Sequence, residues 1–339
     1  MAPRRTTPSI RIEYNRGLHL LGTVLWFDAV RRADLCFLSH AHLRQAAPHR
    51  KILATPATAA LVRPRLHKAR TLVCPYHRPF ALGELGLMLI PAGHIAGSAQ
   101  LVVEYRSERL IYTGHFSLSM KRCCPAAEVL AADVLLAHAA FPPRWRLPPK
   151  EDEERALLAW ANETQADGAI PALLCAELGK AQEIAKLLLE HGFVVRAERR
   201  IFDACRRMEA GAGVRLDGLL RARKSPSPGE VILAGFSPST RARLRKNPRL
   251  RLAAATGMAL QPGYCQQAGL DRAFTLSLHA DFSMIEEYLL GCGPREVYLF
   301  GPGAEETASV LARKRKRVRA LLPPEQLSLP LPKAGFVAS

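Results

Sequence analysis

The hydrophobic pattern changes twice along the chain. Over roughly the first 150 residues, short apolar runs alternate with turns: "TVLWFD" (23–28), "LCFLS" (35–39), "LGLMLI" (85–90), "QLVVEY" (100–105), "RLIYTG" (109–114) and "DVLLAH" (133–138). Runs of this length bounded by turn-forming residues predict β-strands. One helix interrupts them. Thr55 precedes Pro56, an N-cap followed by proline at the first helical position, and the spacing carries the helix to about His67.

From about residue 148 the pattern becomes helical and then alternates. "PPKEDEERALLAWANETQ" places acids in a first turn, where the helix dipole favours them, and continues with helical apolar spacing. "AIPALLCA", "GKAQEIAKLLLEHG", "FVVRAERR", "IFDACRRMEAG", "EVILAGF" and "LRLAAAT" then read as strands and helices in turn, with "KSPSPGE" (224–230) as a loop. Such alternation predicts a parallel sheet. After about residue 266 the first style returns: "AFTLSLHADF", a helix (283–290), a strand "EVYLFG" (296–301) and a basic helix to about Leu322. The expected fold class is α/β, one layered domain split by an inserted α/β domain. Its parts are 1–148, the insert 149–265, the returning half 266–322 and a flexible tail 323–339.

Charge changes the picture most. Against 30 Asp and Glu stand 48 Lys and Arg, a formal net charge of +18, which points to a polyanionic partner, DNA or RNA. The excess is clustered. Arg241, Arg243, Arg245 and Lys246 lie in "RARLRKNPRLR", and Arg313, Lys314, Arg315, Lys316 and Arg317 lie in "RKRKRVR"; each stretch carries six basic residues and no acid. Each phosphate contact of such a patch adds salt-dependent affinity. The chain has no run of about 18 apolar residues and no apolar signal core, so a cytoplasmic protein without a membrane partner is expected. Eight scattered cysteines without a C-x-x-C pair fit reduced thiols.

Histidines carry the candidate chemistry. "SHAH" (His40, His42), "PAGHIAGSAQ" (His94), "YTGHFS" (His115) and "SLHADF" (His279) each place a histidine just past a strand. Strand ends are where a rigid sheet aims side chains at one point, and three or four imidazoles meeting there suit a tetrahedral zinc ion. Lys180, after Gly179 in "ELGKAQE", sits at a helix start, a natural phosphate site as well as an ordinary sheet-to-helix turn.

These blocks, together with "NRGLHLLGTVLWFDA", resemble in order and spacing the metallo-β-lactamase fold of the β-CASP branch. Within it they resemble the bacterial ligase-associated DNA exonucleases, whose relatives are often labelled mRNA 3′-end processing factors. The resemblance implies an αββα sandwich with an inserted β-CASP-like domain, a metal-dependent nuclease ancestry and His279 as general acid wherever hydrolysis persists. It covers about residues 10–310, and it is broken at the metal motifs. The family's His-x-His-x-Asp-His reads His40-Ala-His42-Leu-Arg44-Gln45 here. His115 and His138 stand where carboxylates are implied, Leu278 replaces an aspartate two residues before the retained Ala280-Asp281, and Phe300 replaces the last histidine.

Two divalent ions about 4 Å apart need a carboxylate or hydroxide between them to offset their repulsion. With those carboxylates gone and a permanent guanidinium gained at Arg44, a second metal is not expected. His40, His42 and His94 remain for one zinc ion, which His115 closes as a fourth ligand or leaves open to water. Arg44 either holds a phosphate where the second metal stood, or faces solvent or an acid such as Asp281. In the tail, Gln326, Leu327, Leu329 and Leu331 of "QLSLPL" resemble the hexapeptide that docks bacterial repair proteins on the sliding clamp. The combined expectation is a non-hydrolytic, DNA-binding pseudoenzyme of bacterial DNA repair. Its expected partners are the clamp and a DNA ligase or other repair proteins. The alternative is an active single-zinc DNA or RNA exonuclease.

Overall fold

The computed structural model describes residues 10–15, 17–42, 47–62, 66, 68–315 and 317–323. Six strands come first: Ile12–Tyr14 (β1), Leu18–Leu20 (β2), Leu25–Phe27 (β3), Leu35–Phe37 (β4), Lys51–Ala54 (β5) and Arg70–Val73 (β6). They pair in chain order, antiparallel from β1 to β3 and parallel from β3 to β6. Helix α1 (Pro56–Val62) follows β5, and the Thr58 amide donates to Thr55 Oγ1 at 3.1 Å, the cap expected from the Thr-Pro step.

A second sheet begins with Phe80–Leu82 (β7), Leu85–Pro91 (β8), Ala99–Tyr105 (β9), Glu108–Tyr112 (β10) and Val134–His138 (β11). Helix α2 (Lys150–Ala166) then leads into a third, all-parallel sheet. Its strands are Ile170–Cys175 (β12), Val194–Ala197 (β13), Leu220–Arg221 (β14), Glu230–Gly235 (β15), Leu250–Ala255 (β16) and Arg272–Phe274 (β17), in the order β14-β13-β15-β12-β16-β17. Its helices are α3 (Lys180–Glu190), α4 (Arg199–Ala212), α5 (Pro238–Arg245) and the short α6 (Tyr264–Ala268). The chain then returns through α7 (Phe282–Cys292), Glu296–Phe300 (β18), α8 (Ala304–Ala312) and Val318–Ala320 (β19), which complete the second sheet as β19-β18-β11-β10-β9-β8-β7.

Period-two patterning builds the layers. In β10 and β11, Leu110, Tyr112, Val134 and Leu136 face the first sheet and pack with Leu25, Phe27, Phe37 and Leu53. Their neighbours Ile111, Leu135 and Ala137 face the other way, onto Ile285, Leu289 and Leu311 of α7 and α8. The outer face of the first sheet, through Cys36, Ile52 and Ala54, joins one core with α1, α4 and the third sheet. The order is therefore helix, sheet, sheet, helix, with the parallel unit beside it. Each fully buried Leu, Ile or Phe contributes about 1.5–3 kcal/mol of transfer free energy.

Two expectations are corrected. The basic stretch after Ala312 is not helical to Leu322. Val318 and Ala320 alternate with exposed Arg317 and Arg319, a strand pattern, and β19 pairs in parallel with β18 through Val297↔Val318. "AFTLSLHADF" is a strand only over its first residues, where β17 forms the edge of the third sheet. All eight cysteines are free. Among the described residues no helix is long and apolar enough to cross a membrane.

Candidate metal centre

Each histidine of the centre stands at or just past a strand end: His40 and His42 after β4, His94 after β8, His115 after β10, His138 ending β11 and His279 after β17. Two glycines aim the side chains that follow them. Gly93 has φ +71°, and a Cβ there would lie 2.1 Å from the Ser117 carbonyl oxygen. Gly114 has φ +54°, and its Cβ would lie 2.5 Å from Ser39 Cβ. Only glycine fits either position, so the Gly-His pairs in the sequence are geometric requirements.

Six imidazoles gather. Ring centroids lie 5.1 Å apart for His40 and His42, 4.9 Å for His40 and His94, 4.5 Å for His40 and His115, and 4.6 Å for His94 and His279. His138, expected only as a displaced carboxylate, stacks on His115 at 4.0 Å. Ligand atoms of His40, His42 and His94 all lie within 4.8 Å of one another, and so do those of His94, His115 and His279. The His115 ligand atom thus groups with His94 and with His279, whose Nε2 is 3.2 Å from His115 Nδ1, while its ring stacks on His40.

The hydrogen bonds fix where the protons sit. A carbonyl oxygen only accepts, so His94 Nδ1, 3.2 Å from the Leu278 oxygen, carries a proton, and so does His42 Nε2, 2.9 Å from the Leu178 oxygen. Ser39 Oγ donates to Asp28 Oδ2 at 2.5 Å, so His40 Nδ1 donates to Ser39 Oγ at 2.8 Å. The remaining nitrogens of the neutral rings, His40 Nε2, His42 Nδ1 and His94 Nε2, therefore present lone pairs to one point. His94 Nε2 and His42 Nδ1 are 3.0 Å apart with no proton between them. Two facing lone pairs at that distance repel unless a cation lies against both. Zinc–imidazole bonds of about 2.0–2.1 Å place tetrahedral ligand atoms about 3.3–3.4 Å apart, so these nitrogens fit one zinc-sized ion after small ring rotations.

His42 is exposed, but burial disfavours the charged forms of the other rings in the cluster. It holds His40, His94, His115 and His279 well below the ordinary imidazole value, with neighbouring imidazoles adding to the effect, and it pushes His138 down to about 4. No carboxylate enters either trio. Asp281 is fully engaged elsewhere: Oδ1 accepts from the Met284 amide, capping α7, and Oδ2 accepts from the Leu147 amide, both at 3.0 Å. Phe300 fills space instead of ligating, its ring 5.4 Å from Tyr112 and 5.1 Å from His138.

The supporting shell was not read from the sequence. Asp28 is half-buried at φ +41° and accepts from the Ser39 amide (2.8 Å), Ser39 Oγ and Tyr112 OH (2.8 Å). Burial raises its pKa, against the lowering by these bonds. The Asp that ends "TVLWFD" and the Ser that ends "LCFLS" were the available signal: polar residues closing adjacent parallel strands beside the His-x-His pair. Ser39→Ala leaves the His40 Nδ1 proton without its acceptor and frees the ring to turn. We expect zinc affinity, measured by competition with a chromophoric chelator, to fall roughly 10-fold with unchanged circular dichroism.

Lys180 opens α3 and is buried near His279, and the pair is close enough for its charge to lower the histidine. The first basic stretch is partly used within the fold. Arg241 Nη1 and Arg245 Nη2 both donate to the Ala268 oxygen at 2.9 Å, Arg243 pairs with Glu198, and Lys246 is exposed. In the second stretch Lys314 pairs with Glu286 at 2.8 Å, Arg315 donates to the Leu289 oxygen at 3.3 Å, and Arg313 and Arg317 are exposed. Arg44, Gln45, Lys316 and the clamp-type residues Gln326, Leu327, Leu329 and Leu331 lie outside the described residues.

No protein-family profile matches the chain. It is 30% identical over 322 residues to a protein of Opitutus terrae named a probable DNA ligase, a match covering 94% of this chain and 32% of that protein. An uncharacterized protein of Synechocystis is 33% identical over 206 residues, 53% of this chain and 36% of that protein. The Saccharomyces cerevisiae protein named endoribonuclease YSH1 is 30% identical over 118 residues, 34% of this chain and 15% of that protein. The chain spans about a third of the length of the first two relatives.

Proposed function

We propose that this chain has the metallo-β-lactamase fold with a β-CASP-like insert and binds nucleic acid in bacterial DNA repair without hydrolysing it. In this reading His40, His42 and His94 hold one zinc ion. The observation that carries the reading is that, among the described residues, the grouped ligand atoms of the centre all belong to imidazoles and no carboxylate joins them to bridge a second cation. The helix–sheet–sheet–helix order, the net charge of +18 and the names of the relatives support it. A bound zinc ion would act as a Lewis acid or lower the pKa of a water. The chain's own residues orient the three ligand rings through the Leu178 and Leu278 carbonyls and Ser39. The similarity to a protein named a DNA ligase supports a ligase-linked setting. Residues 326–331 would supply the clamp contact, and Arg44 and Lys180 would hold phosphate.

A second reading is favoured by the grouping of the His115 ligand atom with His94 and His279, which would leave the fourth position of the first trio to a water although the His115 ring stacks on His40. It makes the chain a single-zinc DNA or RNA exonuclease with His279 as general acid. Metal analysis of the purified chain, followed by incubation with end-labelled single- and double-stranded DNA, separates the two. We expect about one zinc per chain, DNA retained at low salt and no shortening. Two metals per chain, or no DNA binding, would sink the first reading. Metal-dependent shortening that disappears in His94→Ala would establish the second. Deleting residues 325–332 and measuring clamp binding tests the tail.

A further inference from the structure

Beside the imidazoles lies a cavity of about 30 Å³ lined by Lys121, Lys150 and Lys180, with Glu154 and Glu183 as its acids among the described residues. Its wall includes Ser277 and Leu278, and the Leu278 carbonyl accepts a hydrogen bond from His94 Nδ1 at 3.2 Å, so one backbone strip separates the two pockets. Lys180 is 7% exposed, and among the described residues its Nζ has no hydrogen bond or ion pair. Lys121, equally buried, donates to the Ser119 oxygen at 3.2 Å, and Lys150 donates to the Met120 oxygen at 2.8 Å.

The acids are already engaged. Glu183 accepts from the Arg122 and Cys123 amides at 2.9 and 2.8 Å, while Glu154 pairs with Arg122 at 2.6 Å and Lys150 at 3.3 Å. Ammonium groups outnumber carboxylates three to two in the lining. The N-terminus of the 11-residue α3 adds its partial positive charge. An ammonium buried this deeply, offset only in part by Glu183, is costly. Burial, with Lys121 adding to it, lowers Lys180 to about 7, and burial lowers Lys121 to about 8. An entering oxyanion would relieve all of this.

We propose that Lys121, Lys150 and Lys180 form an oxyanion site that takes one phosphoryl group of a nucleic-acid strand lying across the imidazole cluster. The cavity holds on the order of two or three water-sized groups, room for phosphoryl oxygens and too little for a base or sugar. The site therefore reads backbone charge and ignores sequence. The strand assignment rests on the nucleic-acid reading above; the oxyanion assignment does not.

Two measurements on the full chain test it. In fluorescence anisotropy with a labelled oligodeoxynucleotide, Lys180→Met is expected to weaken binding about 10-fold and to reduce the salt slope by about one. In thermal unfolding, inorganic phosphate is expected to raise the Tm of the wild type and not of Lys180→Met. Lys150→Ala, at the more exposed edge of the cavity, should show both effects in weaker form and guards against a folding defect in the first variant. A phosphate-dependent Tm with unchanged oligonucleotide affinity overturns the strand assignment in favour of free phosphate. If phosphate shifts neither protein and Lys180→Met binds DNA like the wild type, the site does not exist. A wild type that binds no oligonucleotide defeats the nucleic-acid reading, while the phosphate measurement still reads the pocket.

Discussion

His94→Ala abolishes stoichiometric metal binding, with a loss in zinc affinity of more than about 100-fold. His94 is fully buried and belongs to both imidazole trios, so removing it leaves no three nitrogens gathered around one point among the described residues. His42→Ala and His115→Ala divide the question. His42 belongs only to the first trio and His115 only to the second. If one ion sits where the fixed lone pairs converge, His42→Ala is nearly as damaging as His94→Ala, and His115→Ala costs much less. Metal per chain by mass spectrometry, with affinity by chelator competition, gives the order. Full occupancy retained in both His42→Ala and His94→Ala would rule out the first trio as the metal seat.

Acid destabilises the metal-free fold. An imidazole held below its unfolded value binds fewer protons when folded, so its contribution is complete above the unfolded value of 6.5 and is lost as pH falls toward the folded value. For His138, lowered to about 4, the window runs from 6.5 down to that value. At about pH 5 this residue alone removes about 2 kcal/mol of stability relative to about pH 7. His40, His94, His115 and His279 are shifted in the same direction and deepen the loss. Thermal unfolding of chelator-treated protein across that range should show a falling Tm, and His138→Gln should flatten part of the slope. A Tm that does not change between those two pH values would mean that the cluster is hydrated and not buried.

The sequence was most legible where local pattern and tertiary packing agree. The alternation in "RLIYTG" and "DVLLAH" placed two strands of the second sheet, and the Thr-Pro step placed α1, because one face of each element had to be buried. The basic run after Ala312 misled for a physical reason. Lysine and arginine are good helix formers, but Val318 and Ala320 gain more by facing a sheet than a solvated helix would give them. At the centre, His-x-His and Gly-His spacing revealed the ligands. It could not reveal Ser39, the Leu178 and Leu278 carbonyls or His138 stacked on His115, because these partners are remote in the chain or belong to the backbone. Lys121 was invisible for the same reason: its relation to Lys180 exists only after the loop between β10 and β11 has folded against α3.

The carbonyl that sets the His42 tautomer lies 136 residues downstream, between β12 and α3 of the inserted unit, and the one that sets His94 lies 184 residues downstream. The ligand set is consequently assembled late. A nascent chain that has made the first sheet and strands β7 to β11 of the second still has rings free to spin, and cation capture becomes selective only once the third sheet has docked. Ion uptake is thus a reporter of whole-chain maturation, and mutations at Gly179, where a side chain would strike Ile95 and Leu278, should reach the centre without touching a single ligand.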